Sequence, residues 1–383
     1  MISLLLLARH YPPAISGGAR RPRLLVEELR ALGVRVFVVT PTLPQGEKGE
    51  SGIEVPHPNR DPSTAMADGR PQSIRDHVRT FVLWPDPDIR WSMLAARAAV
   101  SAVPFRPDWV MTTSPPESIH VAGAWLKRKI GTRWVADFRD TWLDRPHRVE
   151  RLSLARRIGE AAIARFILPH ADVTLAVDSV VANDASRLGA RNVNVLAHFS
   201  PNALPMPALL PEDRVNVVHA GNIELSDPLC RIECLLDAYT AARVRNERLL
   251  LHLVGRLSAR EQMKAHSTAD VIIHGPKPYD ESLAYIGGAD ALAMVASPKM
   301  HVPPSKIVEY LLTNKPIIAC GEGPWRADPR TPRGDCVEAL IGLKKGAVRN
   351  ENLPAALQAS EAARVFLDIL RNADKHAVRR GAR

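Results

Sequence analysis

The sequence contains few cysteines, few aromatic residues and no long hydrophobic run. Its four cysteines show no zinc-binding spacing, so we expect them to be buried, reduced thiols of a cytoplasmic protein. No apolar run approaches the roughly 20 residues that a transmembrane helix requires, so any membrane contact is expected to be peripheral. Aromatic residues make up only 5% of the chain and no nucleic-acid-binding motif is present, which argues against a nucleic-acid partner.

Two common nucleotide-binding fingerprints are also missing. The first predicted strand is not followed by G-x-G-x-x-G, and no G-x-x-x-x-G-K-[ST] loop occurs in the chain. The apolar run from Ile2 to Leu7 has no basic region before it and no cleavage site of small residues. It therefore predicts a buried strand and not a signal peptide.

Positive charge is in excess. Lys and Arg number 51 against 41 Asp and Glu, which gives a net charge of +10 and a pI near 9.7. This balance favours anionic partners such as nucleotides, phospholipid head groups, lipid pyrophosphates or nucleic acid. A basic surface that serves only solubility explains it equally well.

Short apolar runs alternate with helical patterns along the chain, which predicts parallel sheets covered by helices on both faces. The length of 383 residues suggests two domains, because single cores rarely exceed about 250–300 residues. The proline-rich stretch from Ser200 to Pro211 is typical of a linker. We expect an α/β fold with an N-terminal Rossmann-like domain (1–204) and a second Rossmann-like domain (205–352). A C-terminal helix within 353–383 is expected to pack back on the first domain and to end in a basic, mobile tail.

The predicted strands are Leu4 to Ala8, Val34 to Val39, Asp108 to Met111, Arg133 to Ala136, Val173 to Val177, Val215 to Val218, Leu249 to Val254, Val271 to Ile273, Leu292 to Val295 and Pro316 to Ala319. The long polar stretch from Gln45 to Pro71 is expected to be an acceptor-side loop, although simple disorder explains it as well.

The segment from Pro303 to Pro316 is the most informative part of the chain. Its prolines suit the entry to a helix, Ser305 can cap that helix, and Lys306 adds positive charge beside backbone N–H groups that attract phosphate. One turn later, the carboxylate of Glu309 can accept hydrogen bonds from a ribose. The pattern favours a nucleotide diphosphate site, although many helices begin in this way and carry Lys and Glu only as solvated positions.

Glycines and polar residues follow several other predicted strands, at the sheet edge where ligands of open α/β folds bind. Gly17 and Gly18 allow a ligand to approach the backbone closely, or they form a plain turn. In the second half, Gly221 and the neighbouring Asn222 could face a diphosphate. Arg256 is a candidate phosphate partner, and the loop that contains Gly275 could hold the edge of a base.

Two segments of the first half carry titratable residues at the same sheet edge. His120 begins a helix, where it could face a bound ligand, but a lone histidine is more often structural than catalytic. Asp137 begins a run of charged residues that could orient a sugar or an acceptor. For Arg139 and Asp140 we favour a salt-bridged anchor of the loop.

Taken in order, these pieces resemble a family-4-type glycosyltransferase with the GT-B architecture, over nearly the full length. The matching pieces of the first half are Tyr11-Pro12-Pro13 with Gly17-Gly18, Trp84-Pro85-Asp86-Pro87-Asp88 with Trp91, Ser114-Pro115-Pro116 with His120, and Asp137-Phe138-Arg139-Asp140 with Trp142. The second half adds Ala220-Gly221-Asn222, Asp227-Pro228, Gly255, and Pro304-Ser305-Lys306 with Glu309-Tyr310 and Lys315-Pro316. Each piece is weak, but their order and spacing are fairly specific.

The resemblance implies two Rossmann-like domains with parallel sheets that face a deep interdomain cleft. The nucleotide-sugar donor would bind mainly to the second domain and the acceptor mainly to the first. Such enzymes usually retain the anomeric configuration and need no metal ion, so no cofactor is expected. By this analogy Glu309 would hold the ribose hydroxyls, while Ser305 and Lys306 would face the diphosphate. Gly17 and Gly18 would approach the diphosphate from the first domain.

The analogy also suggests residues for the reaction itself. The candidate catalytic residues are His120 and Asp137, and the candidate sugar-binding residues are His301 and Pro303. Members of the family often carry an acidic residue at the position of His301, eight residues before the ribose-binding Glu. They often carry a basic residue near Ser226, where this chain has none, so Arg256 or Lys306 would have to neutralise the diphosphate alone. The run Asp86-Pro87-Asp88 resembles a metal-binding D-x-D motif, but its prolines and neighbouring tryptophans favour a structural turn.

The leading hypothesis is a retaining glycosyltransferase of glycan or polysaccharide biosynthesis. It would move a sugar from a nucleotide-diphosphate donor, with a UDP-sugar favoured, to a saccharide or lipid-linked saccharide. The alternatives are a nucleotide-sugar epimerase-like enzyme on the same fold and a degenerate, non-catalytic nucleotide-sugar-binding subunit. Five arginines could face an anionic membrane or a plain solvated surface, with Leu152, Ile158 and Ile163 nearer the core: Arg145, Arg148, Arg151, Arg156 and Arg157. We expect a cytoplasmic protein that can also work at the inner face of the cell membrane.

Overall fold

The computed structural model describes residues 2–14, 17–58, 82–143, 153–227, 229–349 and 357–381, without side chains for 376–381. The chain divides into two compact units. The first unit comprises Met1–His198 and Ala359–Arg383, and the second comprises Phe199–Gln358. The division after residue 198 lies close to the proline-rich stretch that suggested a linker.

The first unit is built on a 7-stranded parallel sheet with the order β3-β2-β1-β4-β5-β6-β7. Its strands are β1 (Ser3–Ala8), β2 (Arg35–Thr40), β3 (Gly52–Glu54), β4 (Trp109–Ser114), β5 (Arg133–Phe138), β6 (Val173–Ala176) and β7 (Val193–Val195). The central strands read as continuous apolar runs because helices cover both faces of the sheet.

The helices of the first unit are α1 (Gly17–Ala31), α2 (Ile89–Ala102), α3 (Ser118–Leu126), α4 (Leu154–Ile167), α5 (Ser179–Arg187) and α11 (Ala359–Gly381). Helix α3 continues into a π-helical turn, Lys127–Gly131. Helix α11 packs against α1 and β6. Three tryptophans of the core cluster, Trp91, Trp134 and Trp142, are fully buried between sheet and helices, so large aromatic side chains fill this core.

The second unit has a smaller, 5-stranded parallel sheet with the order β10-β9-β8-β11-β12. Its strands are β8 (Val215–Ala220), β9 (Leu249–Val254), β10 (Val271–Gly275), β11 (Ala291–Val295) and β12 (Ile317–Cys320). Its helices are α6 (Glu233–Arg243), α7 (Ala259–His266), α8 (Tyr279–Gly288), α9 (Ile307–Leu311) and α10 (Cys336–Ile341). Both sheets thus run outward in both directions from their first strand, which is the doubly wound order of Rossmann-like folds, and the predicted fold class is confirmed.

Several local expectations are wrong. The stretch predicted as a loop from Gln45 to Pro71 contains β3, while residues 59–71 lie outside the described residues. Helix α11 continues through the expected tail to Gly381, and the mobility of that tail stays a prediction. Cys234 is exposed, unlike the buried Cys230 and Cys320. In the described part of the chain, no helix is long and apolar enough to cross a bilayer.

The arginine-rich face expected after the Asp137 segment is only partly described. Arg145, Arg148, Arg151 and Leu152 lie outside the described residues. Arg156 is buried, because its Nε donates to Glu160 at 2.9 Å and its Nη2 donates to the Pro85 carbonyl at 2.8 Å. Ile158 was expected nearer the core but is 61% exposed. The prediction is therefore wrong for Arg156 and Ile158, whereas Ile163 packs against the core as expected.

Candidate functional site

In the second unit, three neighbouring strands end in glycines with left-handed backbone angles. Gly221 follows β8, Gly255 follows β9 and Gly275 ends β10, with φ of 113°, 155° and 70°. The Gly221 N–H donates to the Val254 carbonyl at 2.5 Å, and the Gly255 N–H donates to the Gly275 carbonyl at 2.9 Å. A Cβ at Gly255 would overlap the Gly221 carbonyl. Only glycine fits here, so the backbone of three strand ends comes together without side chains.

Lys306 lies directly against this glycine surface. Its Nζ donates to the Asn222 carbonyl at 3.1 Å, and a Cβ at Gly221 would overlap the end of its side chain. The Asn222 Oδ1 accepts from the Arg256 N–H at 3.1 Å. The structure therefore brings together Gly221, Asn222, Arg256 and Lys306, four residues that the sequence assigned to a diphosphate site.

The expected helix cap is wrong. Helix α9 begins at Ile307, and its N-cap position is Lys306, which makes no capping bond with its side chain. The Ile307 N–H already donates to the Pro304 carbonyl at 2.9 Å, and the Val308 N–H to the Ser305 carbonyl at 3.4 Å. Positive charge near this end of α9 therefore comes from the ammonium of Lys306 and not from a row of open backbone donors.

Glu309 lies in the first turn of α9 and is 2% exposed. Its Oε1 accepts from the Tyr279 hydroxyl at 3.2 Å, which orients the carboxylate from helix α8. The next residue, Tyr310, ties α9 to the sheet: its hydroxyl accepts from the Ala220 N–H at 2.9 Å and donates to the Ala293 carbonyl at 3.1 Å. The two residues fix α9 beside the ends of β8 and β11.

A buried histidine lies beneath Lys306. His219, on β8, is 2% exposed, and its Nδ1 lies 3.0 Å from the Ala293 carbonyl. Burial, helped by the charge of Lys306, lowers the pKa of His219 to about 3. The imidazole is therefore neutral at physiological pH, and Lys306 is the cation that can face an anion here.

The two candidate sugar-binding residues differ in exposure. The His301 side chain is exposed, whereas Pro303 is buried. They precede α9 on the same loop, and their contact with a sugar stays a prediction.

In the first unit, Asp137 is not open to a ligand. Its carboxylate forms a buried ion pair with Arg21, whose Nη2 lies 3.0 Å from the Asp137 Oδ1. The side chain of Arg21 is 4% exposed and that of Asp137 is 1% exposed. The Thr113 hydroxyl donates to Oδ2 at 2.8 Å. Arg21 also donates to the carbonyls of Leu196 and Ala197 at 2.9 and 2.8 Å. In this structure the Asp137 oxygens anchor α1 to the sheet, and a catalytic role of Asp137 stays a prediction.

Arg139 is a second anchor, as the sequence suggested. Its Nε donates to the Ser114 carbonyl at 2.6 Å and its Nη2 to the Pro115 carbonyl at 3.3 Å. Its Nη1 donates to the Gly18 carbonyl, and a Cβ at Gly18 would lie 2.8 Å from that nitrogen. Gly18 therefore makes room for Arg139, while Gly17 lies exposed at the start of α1. Contact of these glycines with a diphosphate stays a prediction.

His120 is a core residue. It is 0% exposed, and its Nδ1 lies 2.9 Å from the Thr112 hydroxyl oxygen. Its ring packs against Phe138 and Trp142, with centroids 4.2 and 6.2 Å apart. Burial lowers the pKa of His120 to about 3, so the ring is neutral. Aromatic side chains therefore enclose the ring in this structure, and a catalytic role of His120 stays a prediction.

The Asp86-Pro87-Asp88 run forms the structural turn that the sequence favoured. Asp86 Oδ2 accepts from the Ser118 N–H at 2.7 Å, and Asp86 Oδ1 accepts from the Ser118 hydroxyl at 2.6 Å. Burial, together with the charge of Glu117, raises the pKa of Asp86 to about 7. Among the described residues, no cluster of three or more His, Cys, Asp and Glu side chains could hold a metal ion.

Two residues of these networks were not found from the sequence. Arg21 resembles the other arginines of α1, and only the fold shows that its side chain reaches Asp137. Tyr279 begins a helix 30 residues before Glu309, and no local pattern connects the two. Both contacts join distant segments, so no local sequence signal could have shown them.

Comparison with known proteins agrees with the earlier resemblance. Residues 16–198 match the family model of the glycosyl transferase 4-like domain, which covers nearly all of the first unit before residue 198. No curated protein sequence matches the chain significantly. The resemblance to a family-4-type glycosyltransferase is thus confirmed for residues 16–198.

Solved structures resemble the chain over nearly its whole length at low identity. HepE of Anabaena in complex with UDP-glucose is 15% identical, with 98% of this chain and 91% of that chain covered and a TM-score of 0.54. A glycosyltransferase of Rickettsia africae is 12% identical, with 98% and 99% covered and a TM-score of 0.59. A putative UDP-N-acetylglucosamine 2-epimerase of Listeria monocytogenes is 11% identical, with 98% and 97% covered and a TM-score of 0.63. At these identities the likeness shows the shared fold.

Proposed function

Because residues 16–198 form a glycosyl transferase 4-like domain in a chain of GT-B fold, we propose that the protein is a retaining glycosyltransferase. It moves a sugar from a nucleotide-diphosphate donor, a UDP-sugar by preference, to a saccharide or lipid-linked saccharide in glycan biosynthesis. The observation that carries the proposal is the cluster of Lys306, Gly221, Asn222 and Glu309 beside the strand ends of the second unit. The complex of HepE with UDP-glucose supports the preference for UDP.

The proposal gives each of these groups a task. Lys306 meets the diphosphate, with Arg256 as the second cation, and stabilises the negative charge that grows as the sugar–phosphate bond breaks. Gly221 and Gly255 let the diphosphate approach the backbone, since neither carries a side chain. Glu309 accepts from the ribose hydroxyls, because a carboxylate offers about four acceptor sites and can keep its bond to Tyr279. No metal ion is part of this assignment.

Calorimetric titration with UDP, GDP, ADP and uridine, with and without magnesium, tests the donor site. We expect Lys306→Met to weaken UDP binding at least tenfold and to leave uridine binding unchanged, because Lys306 meets only the diphosphate. Glu309→Gln should weaken both ligands by about 10- to 100-fold, as expected for a lost hydrogen bond to a charged group worth roughly 1.5–3 kcal/mol. Glu338→Gln is the matched control, since this carboxylate is on the same unit, 68% exposed and paired with Arg245.

Unchanged UDP affinity in both site variants would show that the nucleotide binds elsewhere. An absence of binding to every nucleotide would contradict the transferase proposal, whereas UDP binding without any sugar transfer would support the degenerate, non-catalytic nucleotide-sugar-binding subunit. Retention is read separately, from the anomeric configuration of the product by NMR.

A nucleotide-sugar epimerase is the second candidate, favoured by the fold likeness to the Listeria epimerase. An epimerase changes the donor sugar without an acceptor, whereas a transferase needs the acceptor to release a glycoside. Product analysis of UDP-sugars incubated with the protein alone separates the two. A changed sugar that stays linked to UDP would contradict the transferase proposal.

The proposal also includes contact with an anionic membrane, through helix α4. Leu154, Ile158 and Phe166 follow one another at helical spacing and are 74%, 61% and 72% exposed. Arg165, also exposed, lies on the same helix. An exposed apolar stripe beside basic residues is typical of helices that lie on lipid surfaces. A lipid-linked acceptor at the inner face of the cell membrane would bring the enzyme there.

Co-sedimentation with vesicles tests this surface. We expect binding to vesicles of anionic lipid at low salt, weak binding to neutral vesicles, and loss of binding in Ile158→Ser/Phe166→Ser. The control is Val244→Ser, because this valine is 82% exposed on the second unit. Equal binding of the double variant and of the intact protein would remove α4 as the contact surface.

A further inference from the structure

A small polar cavity of about 260 Å³ lies within the first unit, next to the carboxyl ends of β1, β2 and β3. Five polar side chains line it: Arg9, Tyr11, Thr40, Thr42 and His57. The volume is slightly below the range of about 300–1,000 Å³ typical of pockets for drug-sized ligands. It therefore suits one small molecule, such as a single sugar ring.

Arg9 is the unusual member of this lining. It is 5% exposed, and its fully buried Nε has no hydrogen-bond partner among the described residues. Its contacts are an ion pair with Asp88, with Nε 3.5 Å from Oδ2, and the face of Trp91 at 5.8 Å. A guanidinium offers five N–H donors, and leaving buried donors unsatisfied costs about 1–3 kcal/mol or more. A ligand with acceptor oxygens would satisfy them.

Asp88 forms an ion pair with Arg9 but accepts no hydrogen bond from the Arg9 guanidinium. The carboxylate is shared, because its Oδ1 lies 2.8 Å from His57 Nε2. Burial alone would raise the pKa of Asp88, but the His57 hydrogen bond and the Arg9 charge outweigh it, and the pKa lies below its usual range. Asp88 is therefore ionised at neutral pH and keeps Arg9 charged and oriented.

A hydroxyl group in the lining also lacks a hydrogen-bond partner in the described part of the chain. The Thr40 hydroxyl, at the end of β2, is completely buried and has no hydrogen-bond partner among the described residues. Tyr11 is 2% exposed. Buried polar groups in folded proteins are normally hydrogen-bonded, so an unpaired guanidinium nitrogen and an unpaired hydroxyl in one lining favour the binding of a polar ligand here.

We propose that this cavity binds the carboxylate or phosphate group of a small acidic saccharide, with Arg9 as the residue that receives the oxyanion. The planar fork of Arg matches the two oxygens of a carboxylate or phosphate, whereas the hydroxyls of a neutral sugar offer no such pair of charged acceptors. The site lies wholly in the unit that carries the glycosyl transferase 4-like domain. The binding of an acidic saccharide in this cavity does not depend on the proposed function. Its role as the acceptor of the transferred sugar does rest on the proposed function.

Calorimetric titration of the full chain with glucuronate, glucose 6-phosphate and glucose tests the site. We expect one of the two acidic sugars to bind at one site per chain and glucose to bind at least tenfold more weakly. Arg9→Gln should weaken acidic-sugar binding at least tenfold. The control is Arg97→Gln, an exposed arginine on α2 of the same unit. The comparison between glucuronate and glucose 6-phosphate identifies which oxyanion the site takes.

Thr40→Val gives a second variant that does not depend on removing a buried charge. It replaces an unpaired buried hydroxyl by a methyl group of the same shape, so stability should be unchanged or higher. Acidic-sugar binding should nevertheless fall several-fold. A purely structural role of Thr40 would leave binding intact.

The proposal is overturned if glucose binds as tightly as the acidic sugars, if no acidic sugar binds, or if neither variant changes binding. UDP titrations of the same proteins separate it from the proposed function. Acidic-sugar binding without UDP binding would leave this site standing and remove the transferase. UDP binding that is intact in Arg9→Gln, together with lost acidic-sugar binding, is the result that both accounts predict.

Discussion

The two units share one sheet order but treat the ends of their strands in opposite ways. In the first unit, charged side chains at the ends of β4 and β5 are used up in buried contacts, of which the pair of Arg21 and Asp137 is the most enclosed. In the second unit, the ends of β8, β9 and β10 are glycines, and the side chain of Lys306 lies against the first of them, Gly221.

The difference shows why polar residues after a strand are ambiguous in a sequence. A charged side chain at the sheet edge serves a ligand only if the fold supplies no other partner. The Asp137 carboxylate accepts from Arg21 and Thr113 inside the core, whereas the ammonium of Lys306 donates to the Asn222 carbonyl beside the glycine strand ends. A glycine at a strand end carries no side chain, so a diphosphate can approach the backbone there.

The largest expected effect concerns the anchor of the first unit. Arg21→Met leaves the Asp137 carboxylate buried without its counter-ion, which typically costs about 3–5 kcal/mol. We expect a drop of this size in the free energy of unfolding, measured in urea by tryptophan fluorescence, since six of the seven tryptophans lie before residue 198. Arg23→Met is the control, because its pair with Glu27 is exposed and worth less than about 1 kcal/mol. Equal costs for the two variants would contradict the role of Arg21.

The second-largest expected effect is a difference between the two units in how their stability changes with pH. In the second unit, burial lowers the pKa of His219 to about 3 and that of His252 to about 4. Below about pH 6.5 the unfolded chain binds a proton at each histidine and the folded unit does not, so stability is present above that pH and is lost as pH falls. Each group contributes about 1.4 kcal/mol per pH unit, or about 2.7 for the two.

In the first unit the corresponding shifts oppose each other. His120, with a pKa lowered to about 3, also loses stability as pH falls. Asp86, with a pKa raised to about 7, binds a proton on folding and gains stability over the same range. We therefore expect hydrogen exchange at pH 5 to show the strands of the second unit opening before those of the first. Simultaneous opening would mean that these groups do not set acid stability.

The smallest expected effect concerns the contact between Lys306 and the nucleotide. Gly221→Ala adds a Cβ where the Lys306 side chain lies, at a backbone φ of 113°. We expect UDP affinity to fall about tenfold, or about 1.4 kcal/mol, because Lys306 is displaced, with a strain cost of about 1–3 kcal/mol in stability. Gly346→Ala has a left-handed φ of 66° and open space around it, so it carries the strain without the displacement. Equal UDP affinity in the two variants would show that Lys306 does not contact the nucleotide.

Much of the fold was predictable, because parallel strands buried on both faces read as apolar runs. Strand β9 was predicted at the same bounds, Leu249–Val254, and the other nine predicted strands were found with shifted ends. The short edge strands β3 and β7 were missed, since three residues each give no periodicity.

The candidate site was predictable only in part. Gly221, Asn222, Arg256 and Lys306 follow strands that the sequence places side by side, so their meeting follows from the topology. His120 and Asp137 follow strands as well, but their partners come from distant segments. Arg9 directly follows β1 in the sequence, and no local pattern shows that its side chain is buried with an unpaired Nε.

Hydrogen exchange of the full chain with and without saturating UDP tests the central claim most directly. The account predicts protection at the strand ends of the second unit, residues 219–223, 254–257 and 304–310, with little change at residues 112–118 and 135–140 of the first. Protection confined to those two segments of the first unit, or none in the second, would contradict it.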